Sequence, residues 1–232
     1  MRYQWLLFDA DNTLFDFDRT MEVALETAMK NADLPFEHSF HSIYQKINLQ
    51  CWRDFEEGKI SKAALRTLRF ELFFEAIEVE YSSEAFEVNY LHHLSQGAFL
   101  IENARNLLQE LHGTFRLGLV TNGLREVQRP RLAKSGLQHF FDVVVVSDEI
   151  GHAKPHAAFF DYAFQQMQHT QKHEVMIIGD SLNADIKGGA DYGLDTCWYN
   201  PQQLPNDLNV QPTYQIAALM ALKDVLDGNQ IS

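Results

Sequence analysis

The fold is decided by the stretch Trp5-Leu6-Leu7-Phe8-Asp9-Ala10-Asp11-Asn12-Thr13-Leu14-Phe15, in which a short apolar run stops at an acid and a second acid follows two residues later. The length of the run and its polar flanks predict a strand that is buried on both faces, as the strands of a parallel sheet are. Aspartates that leave the carboxyl end of such a strand lie where open α/β sheets bind their ligands. Asp9 and Asp11 are therefore the first candidate functional residues.

Size, charge and composition limit the class of protein. The chain has 232 residues, which is enough for a large domain or for a core domain with a smaller insert. A net charge of −13 argues against a broad nucleic-acid surface, which needs a basic stripe. The first four residues lack a signal-peptide pattern, no apolar run approaches a membrane span, and the two cysteines give no disulfide framework. We therefore expect a soluble, cytoplasmic monomer or small homo-oligomer that binds neither a nucleic-acid polymer nor a membrane.

Helical periodicity dominates the chain from residue 16 to residue 96. Apolar residues recur at helical spacing over residues 20–31, 39–55 and 82–95, and in a further helix that Ser61 is expected to cap. No strand pattern competes in this part of the sequence. Because an insert of roughly 80 residues is too long for an ordinary loop, we expect residues 16–96 to form an all-helical domain that acts as a lid over the carboxyl edge of the sheet.

Beyond Gly97 the pattern alternates between short apolar runs and helical segments. The predicted strands cover residues 116–121, 143–146, 174–179 and 196–199. Helices are predicted over residues 102–112, 125–135 and 183–192, from about Pro155 onward, and over residues 216–226 before a frayed tail at 228–232. Such alternation predicts right-handed crossovers and a doubly wound parallel sheet. The fold class is therefore α/β, with residues 1–15 and 97–232 as the core domain and residues 16–96 as its helical insert.

Four polar clusters lie at the ends of predicted strands or beside a predicted helix. They are Asp9 with Asp11, Thr121 with Asn122 and Gly123, Lys154 before the helix at Pro155, and Gly179-Asp180-Ser181 with Asp185 five residues after Asp180. Each cluster alone has an ordinary structural explanation, namely a capped turn, a tight turn, a solvated lysine or a helix N-cap. Together they follow the order acid pair, hydroxyl, lysine, acid pair, and this combination favours a functional site.

The clusters supply what phosphoryl transfer requires, namely a nucleophile, positive charge, donors for the phosphate oxygens and an acid for the leaving group. A carboxylate such as Asp9 can attack phosphorus and form an aspartyl-phosphate that water then hydrolyses. Since two anions repel each other, a hard cation such as Mg²⁺ has to lie between them, and Asp9 and Asp180 could hold it. The other roles fall to Lys154 as a second positive charge, to the Thr121 hydroxyl and the Asn122 backbone amide as donors to phosphate, and to Asp11 as the acid.

In this order the clusters resemble the four motifs of the haloacid dehalogenase (HAD) superfamily, and the likeness extends over nearly the whole chain. Motif I is similar to Asp9-Ala10-Asp11-Asn12-Thr13, motif II to Thr121, motif III to Lys154, and motif IV to Gly179-Asp180-Ser181 with Asp185. The resemblance implies a phosphatase in which Asp9 is the nucleophile and Asp11 is the general acid and base.

The same resemblance implies a Mg²⁺ site. The cation would be bound by the carboxylates of Asp9 and Asp180 and by the backbone carbonyl of Asp11, with Asp185 as a direct or indirect support. One departure from the family is Asn12, which stands where glycine is most common. Because asparagine tolerates a left-handed backbone better than most residues, we expect this departure to have little effect.

The helical insert between motifs I and II resembles the C1 cap of the superfamily. Within the superfamily the chain is most similar to bacterial pyrimidine 5′-nucleotidases, through Phe8-Asp9-Ala10-Asp11, Val120-Thr121-Asn122-Gly123, Ala153-Lys154-Pro155 and residues 196–200. This similarity implies a Mg²⁺-dependent phosphomonoesterase that hydrolyses nucleoside monophosphates. Aromatic rings could stack on the base, although helix packing is the commoner role of such rings. Our candidates for base contact are Phe17 and Trp52, ahead of Phe15 and Tyr44.

Several other functions stay open at this point. A HAD phosphatase for a sugar phosphate or phosphoglycolate would use the same site, and a phosphomutase would use closely related chemistry. A 2-haloacid dehalogenase uses the aspartate nucleophile without a metal and lacks an acid at the position of Asp11, so Asp11 and Asp180 argue against it. A non-catalytic binding protein would keep the scaffold, but every acid that the phosphatase mechanism needs is present.

Overall fold

The computed structural model describes residues 2–228, whose six strands form a parallel sheet. They are β1 (Trp5–Phe8), β2 (Arg116–Thr121), β3 (Val143–Val146), β4 (Val175–Gly179), β5 (Asp195–Tyr199) and β6 (Tyr214–Ile216). Their order across the sheet is β3-β2-β1-β4-β5-β6, and every neighbouring pair is parallel. The first strand therefore lies inside the sheet between β2 and β4, and the predicted doubly wound α/β fold is confirmed.

Both faces of the sheet are covered, which explains why its central strands are apolar throughout. All four residues of β1 are buried. Leu6 and Phe8 belong to one core cluster, whereas Leu7 belongs to a second cluster that includes Phe159 and Phe160. Because successive side chains of a strand point to opposite faces, a strand with a core on each side needs no polar residue until it leaves the sheet.

Helices account for most of the remaining chain. Within residues 2–228 they are α1 (Phe17–Asn31), α2 (Ser39–Glu56), α3 (Lys62–Ala76), α4 (Ser83–Gln96), α5 (Ala104–Leu111), α6 (Arg125–Ser135), α7 (Ser147–Ile150), α8 (Ala157–Met167), α9 (Gly188–Tyr192) and α10 (Leu222–Leu226). None of these described helices combines the length and the apolar character needed to cross a membrane. The chain divides into two compact units, one formed by residues 2–16 and 99–228 and the other by Phe17–Ala98.

The unit Phe17–Ala98 contains α1 to α4 and has a core rich in aromatic rings. Tyr44 of α2 stacks on Phe70 of α3 with ring centroids 5.4 Å apart, and Tyr90 of α4 meets both rings near their edges. Ser61 and Ser82 cap α3 and α4, since each side-chain oxygen accepts the backbone N–H three residues further on. The predicted cap at Ser61 is therefore confirmed, and the predicted helices of this segment are present.

The helix expected from Pro155 begins at Ala157, so the prediction that Pro155 opens it is wrong. The Lys154-Pro155 peptide bond is cis, and His156 still has an extended backbone, with φ −65° and ψ 135°. The side chain of Asn122 bonds both the N–H and the carbonyl of Lys154, each at 2.8 Å. These bonds hold a turn that contains Pro155, and α8 starts after it.

Two predicted helices near the C-terminus also differ from the structure. Residues 183–192 are not one regular helix but a π-helical turn over Leu182–Lys187 followed by α9. The helix predicted over residues 216–226 is wrong at its start, because Tyr214–Ile216 pairs with β5 as the sixth strand and only Leu222–Leu226 is α-helical. A strand of three residues is too short to show a pattern of its own in the sequence. Of the predicted frayed tail, residues 229–232 lie outside the described residues.

Candidate active site

Polar residues lie at the ends of three neighbouring strands, at the carboxyl edge of the sheet. Asp9 follows β1 directly, and its N–H donates to the Ile178 carbonyl of β4 at 2.9 Å. Thr121 is the last residue of β2, and Asp180 follows the last residue of β4. Because these strands are parallel and adjacent in the order β2-β1-β4, their final residues meet at one edge, where open α/β sheets bind ligands.

Lys154 lies at the centre of this edge. Its side chain is 1% exposed, and its ammonium donates to Asp9 Oδ1 at 2.6 Å, to Asp185 Oδ1 at 2.6 Å and to the Val120 carbonyl at 2.8 Å. An ammonium group carries three hydrogens, so each of them has an acceptor. A buried charge is tolerated when it is paired in this way. The alternative of a solvated surface lysine is therefore excluded.

The π-helical turn brings Asp185 to the same lysine. Asp185 is fully buried, and its Oδ2 accepts the Ser181 N–H at 3.1 Å. Gly179 provides the space for this carboxylate, because a Cβ atom at Gly179 would lie 2.2 Å from Asp185 Oδ2. The presence of glycine immediately before Asp180 is thus explained by sterics, since any side chain at Gly179 would displace the carboxylate of Asp185.

The carboxylates of the site repel one another. One oxygen from each of Asp9, Asp180 and Asp185 lies within 4.8 Å of the others. Burial raises the pKa of Asp9 to about 7. The ammonium of Lys154 lowers this pKa in part, and the negative charge of Asp185 raises it further. Burial and the charges of Asp9 and Asp185 also hold the pKa of Asp180 well above its usual value. One ammonium does not balance three acids, so this donor set fits a hard divalent cation, which prefers carboxylate oxygens.

Lys154 shows the reciprocal effect. Burial opposes the charge of its ammonium, but the carboxylates of Asp185 and Asp9 outweigh burial and raise the pKa of Lys154 above its usual value. The lysine therefore stays charged throughout the pH range in which Asp9 titrates. The site keeps at least one fixed positive charge beside the candidate nucleophile.

In the absence of a divalent cation, we expect the contribution of Asp9 to the free energy of unfolding to fall as the pH rises from about 4 to about 7. The pKa of Asp9 is raised from 3.8 to about 7 in the folded protein, so in this window the folded state holds a proton that the unfolded state has released. Rising pH then favours unfolding, with a slope of up to about 1.4 kcal/mol per pH unit. Urea unfolding in EDTA at several pH values, compared between the wild type and Asp9→Asn, measures this contribution. A difference between the two proteins that stays constant across the window would contradict it.

Asp11 is held by two residues of α6 that were not predicted from the sequence. Arg131 Nη1 donates to Asp11 Oδ1 and Gln128 Nε2 donates to Asp11 Oδ2, each at 2.5 Å. Both donors are buried, with 0% and 3% of their surface exposed. They lie on the buried stripe of α6 together with Val127 and Leu132. Two long polar residues in helical register with the apolar Val127 and Leu132 are the signal that could have identified them.

Thr121 and Asn122 form the turn after β2. The Thr121 hydroxyl oxygen accepts the Gly123 N–H at 3.1 Å, and the Asn122 carbonyl accepts the Ser147 hydroxyl at 2.9 Å. The side chain of Asn122 is used on the backbone of Lys154. Asn122 therefore contacts Lys154 through a positioning bond that was not predicted from the sequence, whereas the contact of both residues with phosphate stays a prediction.

The segment after Asp9 contributes a hydrogen bond to the carboxylate of Asp180. Asn12 has a φ of 56°, which is the left-handed conformation expected at this position. The hydroxyl of Thr13 donates to Asp180 Oδ1 at 3.2 Å, and Trp198 Nε1 donates to the Asp180 carbonyl at 2.9 Å. The orientation of Asp180 therefore depends on residues from two other parts of the chain.

Phe17 and Trp52, the candidates for base contact, both belong to the helical unit. Phe17 is the first residue of α1, and Trp52 of α2 meets Phe55 edge to face with centroids 5.9 Å apart. Both side chains are half-buried, and their contact with a base stays a prediction. Tyr44 and Phe15 are fully buried, so these two rings serve packing.

Comparison with known proteins identifies the family. The sequence model of the haloacid dehalogenase-like hydrolases matches residues 3–193. The HAD-hydrolase YfnB of Bacillus subtilis is 38% identical over 226 residues, which cover 97% of this chain and 96% of the relative. The crystal structure of YfnB bound to magnesium matches with a TM-score of 0.94 and covers 98% of this chain and 100% of that one. The similarity therefore extends over both sequence and fold.

Two further relatives are pyrimidine 5′-nucleotidases. PynA of Streptococcus pneumoniae is 37% identical over 230 residues, which cover 99% of this chain and 97% of the relative. YjjG of Escherichia coli is 33% identical over 228 residues, which cover 97% of this chain and 99% of the relative. Together with the four motifs assembled at one edge of the sheet, these matches show that the chain is an enzyme of the haloacid dehalogenase-like hydrolase family, of the phosphatase type.

Proposed function

We propose that the enzyme is a Mg²⁺-dependent 5′-nucleotidase that hydrolyses pyrimidine nucleoside monophosphates to nucleoside and phosphate through an aspartyl-phosphate. The observation that carries the reaction is the cluster in which Lys154 bridges Asp9 and Asp185 beside Asp180. The substrate class is supported by the full-length similarity to PynA and YjjG. Burying a charged lysine between two acids costs desolvation free energy, and such arrangements are concentrated at catalytic sites.

Asp9 is the proposed nucleophile and Asp11 the proposed acid and base. A carboxylate oxygen of Asp9 forms a bond to phosphorus while the bond between phosphorus and the ester oxygen of the substrate breaks. Asp11 gives its proton to the departing oxygen, so that the nucleoside leaves as an alcohol. A water molecule then attacks phosphorus and loses its proton to Asp11 as the bond to Asp9 breaks. Inorganic phosphate is released, and both aspartates return to their starting states.

Lys154 has two proposed roles. Its ammonium holds Asp9 Oδ1 at 2.6 Å, which sets the orientation of the nucleophile before the substrate arrives. Its charge also offsets part of the negative charge that the phosphoryl group brings into the site. The remaining phosphate oxygens are proposed to accept hydrogen bonds from the Thr121 hydroxyl and the Asn122 N–H at the end of β2.

The proposed ligands of Mg²⁺ are the carboxylates of Asp9 and Asp180 and the backbone carbonyl of Asp11. The repulsion among the acids supports a divalent cation at this place. Asp185 is assigned an indirect role, because its Oδ1 accepts from Lys154 and its Oδ2 accepts from Ser181. When bound, the cation would supply positive charge that lowers the repulsion between the phosphate and Asp9.

The helical unit is proposed to be a C1-type cap domain that discriminates between leaving groups. Phe17 and Trp52 are proposed to contact the base, since both rings are only half-buried. A phosphatase for a sugar phosphate or phosphoglycolate is the second candidate, because the core residues recognise the phosphoryl group that all these esters share. The free thiols of Cys51 and Cys197 are both buried, and they support a reducing compartment such as the cytoplasm.

Phosphate release from a panel of phosphomonoesters tests the reaction and the substrate class together. The panel contains pyrimidine and purine nucleoside monophosphates, sugar phosphates, phosphoglycolate and p-nitrophenyl phosphate, each assayed with Mg²⁺ and with EDTA. We expect EDTA to reduce turnover to background, because the clustered acids then repel the phosphate, and we expect UMP, dUMP or TMP to have the highest kcat/KM.

Three other outcomes would change the proposal. Turnover led by a sugar phosphate or phosphoglycolate would keep the mechanism and replace the substrate. Transfer of label between substrate molecules without free phosphate would indicate a phosphomutase. No release from any ester would contradict the proposed function.

A further inference from the structure

The carboxylate of Asp11 is bonded at both of its oxygens by side chains of one helix. Arg131 Nη1 lies 2.5 Å from Oδ1, and Gln128 Nε2 lies 2.5 Å from Oδ2. A carboxylate that accepts one bond at each oxygen cannot rotate about its terminal bond without losing both. The two donors, which we call the α6 clamp, therefore fix the direction in which the oxygens of Asp11 point.

The α6 clamp is itself immobilised. Gln128 and Arg131 lie three residues apart on α6, so they share one face of the helix, and both are buried. The Arg131 guanidinium lies 4.8 Å from the ring centroid of Phe15, and Phe15 is fully buried. A cation over an aromatic face is attracted to it. The guanidinium of Arg131 is thus packed against a buried ring, and Gln128 is held in the same buried face of α6.

Gly123 supplies an independent indication that the position of Gln128 matters. A Cβ atom at Gly123 would lie 2.2 Å from Gln128 Nε2 and 2.7 Å from Gln128 Cγ. The backbone of Gly123 does not have a positive φ. Glycine is therefore needed here to leave room for the side chain of Gln128, and not for its backbone conformation. The turn after β2 is thus shaped to let Gln128 reach Asp11.

We propose that Gln128 and Arg131 are positioning residues, which hold the carboxyl group of Asp11 in the orientation needed for proton transfer to and from the phosphoryl site. This proposal rests on the proposed function, in which Asp11 is the acid and base. Proton transfer requires the two heavy atoms to come within hydrogen-bond distance, about 2.6–3.2 Å. A carboxyl group free to turn away from the leaving oxygen would meet this condition only part of the time.

The test separates proton transfer from the rest of the chemistry by the choice of leaving group. A nucleoside leaves as a strongly basic alkoxide and needs a proton, whereas p-nitrophenolate leaves without one. Gln128→Met keeps the volume of the side chain but removes its donors, and Gly123→Ala displaces the same donor. Arg129→Met on the same helix is the matched control, because Arg129 is only partly buried, with 40% of its side chain exposed, and pairs with Glu149 rather than with Asp11. Asp11→Asn is the reference for complete loss of the acid and base.

For Gln128→Met and Gly123→Ala we expect kcat for UMP to fall about 100-fold, the lower end of what general acid–base catalysis contributes, with KM nearly unchanged. With p-nitrophenyl phosphate, a rapid burst of one p-nitrophenolate per active site is expected to persist at the wild-type rate, followed by slow turnover. The burst persists because the attack by Asp9 needs no proton donor, and turnover is slow because the attacking water needs Asp11 as its base. Arg129→Met should match the wild type in both assays.

Two results would contradict the proposed positioning role of the α6 clamp. One is a kcat for UMP in Gln128→Met equal to that of the wild type while Asp11→Asn is impaired. The other is an equal loss of burst rate and of UMP turnover, which would indicate general damage to the site. Arg131→Met completes the series when circular dichroism shows it to be folded, and the variants of Gln128 and Gly123 decide the question without it. Failure of the proposed function is distinguishable, because it would show as no release from either ester by the wild type or as wild-type turnover of Asp11→Asn.

Discussion

Asp9→Asn is expected to abolish phosphate release while leaving the fold intact. The amide of asparagine is a poor nucleophile, so the aspartyl-phosphate does not form, and we expect turnover to fall roughly 10⁴-fold or more. The substitution keeps the size of the side chain and removes a buried negative charge, whose pKa is already raised to about 7 by burial. Folding is therefore expected to be preserved or strengthened in the absence of a cation. Phosphate release with Mg²⁺ and thermal unfolding in EDTA measure the two effects separately.

Asp191→Asn is the matched control for this variant. Asp191 is exposed and pairs with Lys187 one helical turn away, and surface ion pairs of this kind contribute little to stability. Its variant should release phosphate at the wild-type rate. Acid quenching during turnover on labelled substrate should trap label on the wild type and on Asp191→Asn but not on Asp9→Asn. Full activity of Asp9→Asn would remove Asp9 from the mechanism.

Lys154→Met is expected to destabilise the protein strongly. The ammonium of Lys154 is the shared partner of Asp9 and Asp185, and its side chain is 1% exposed. Removing one partner of a buried charge pair typically costs about 3–5 kcal/mol, because the remaining charges stay buried without compensation. Urea unfolding at pH 8 in EDTA measures the loss, since Asp9 is then ionised and no cation replaces the lysine.

The pH dependence of this loss provides a second check. At pH 5 the carboxyl group of Asp9 holds its proton in the folded protein, given a pKa of about 7, so less negative charge is left unpaired and the loss should be smaller. The matched control is Lys187→Met, because Lys187 is about half exposed and forms a surface pair with Asp191. That variant should change the free energy of unfolding by no more than about 0.5 kcal/mol. A loss in Lys154→Met no larger than that of the control would contradict the structural role of the lysine.

The strands and most helices could be predicted because their signals are local. Val143–Val146 is a run of four β-branched residues, and β2 ends at Thr121 as expected. The predictions failed where a local signal was weak or where a distant partner overrode it. Tyr214–Ile216 becomes a strand by pairing with β5, and Pro155 stays outside α8 in a turn that Asn122 holds through the backbone of Lys154.

The types of residue in the candidate site could also be predicted, whereas their partners could not. Asp9, Asp180 and Thr121 were found because they end apolar runs. Gln128 and Arg131 were missed because they lie inside an ordinary helical segment, and their role depends on the face that α6 turns toward Asp11.

The distance along the chain over which each interaction acts explains why some features could be predicted and others could not. The backbone conformation of a segment depends on residues a few positions away, so the sequence alone was enough to place the acids at the ends of buried strands. Lys154 and Asp9 are 145 residues apart in the chain, and Arg131 and Asp11 are 120 apart. Contacts at such separations exist only after β2, β1 and β4 have become neighbours and the helices have packed on the sheet. Packing alone therefore turned a set of strand-end residues into a site with a paired lysine and a clamped acid.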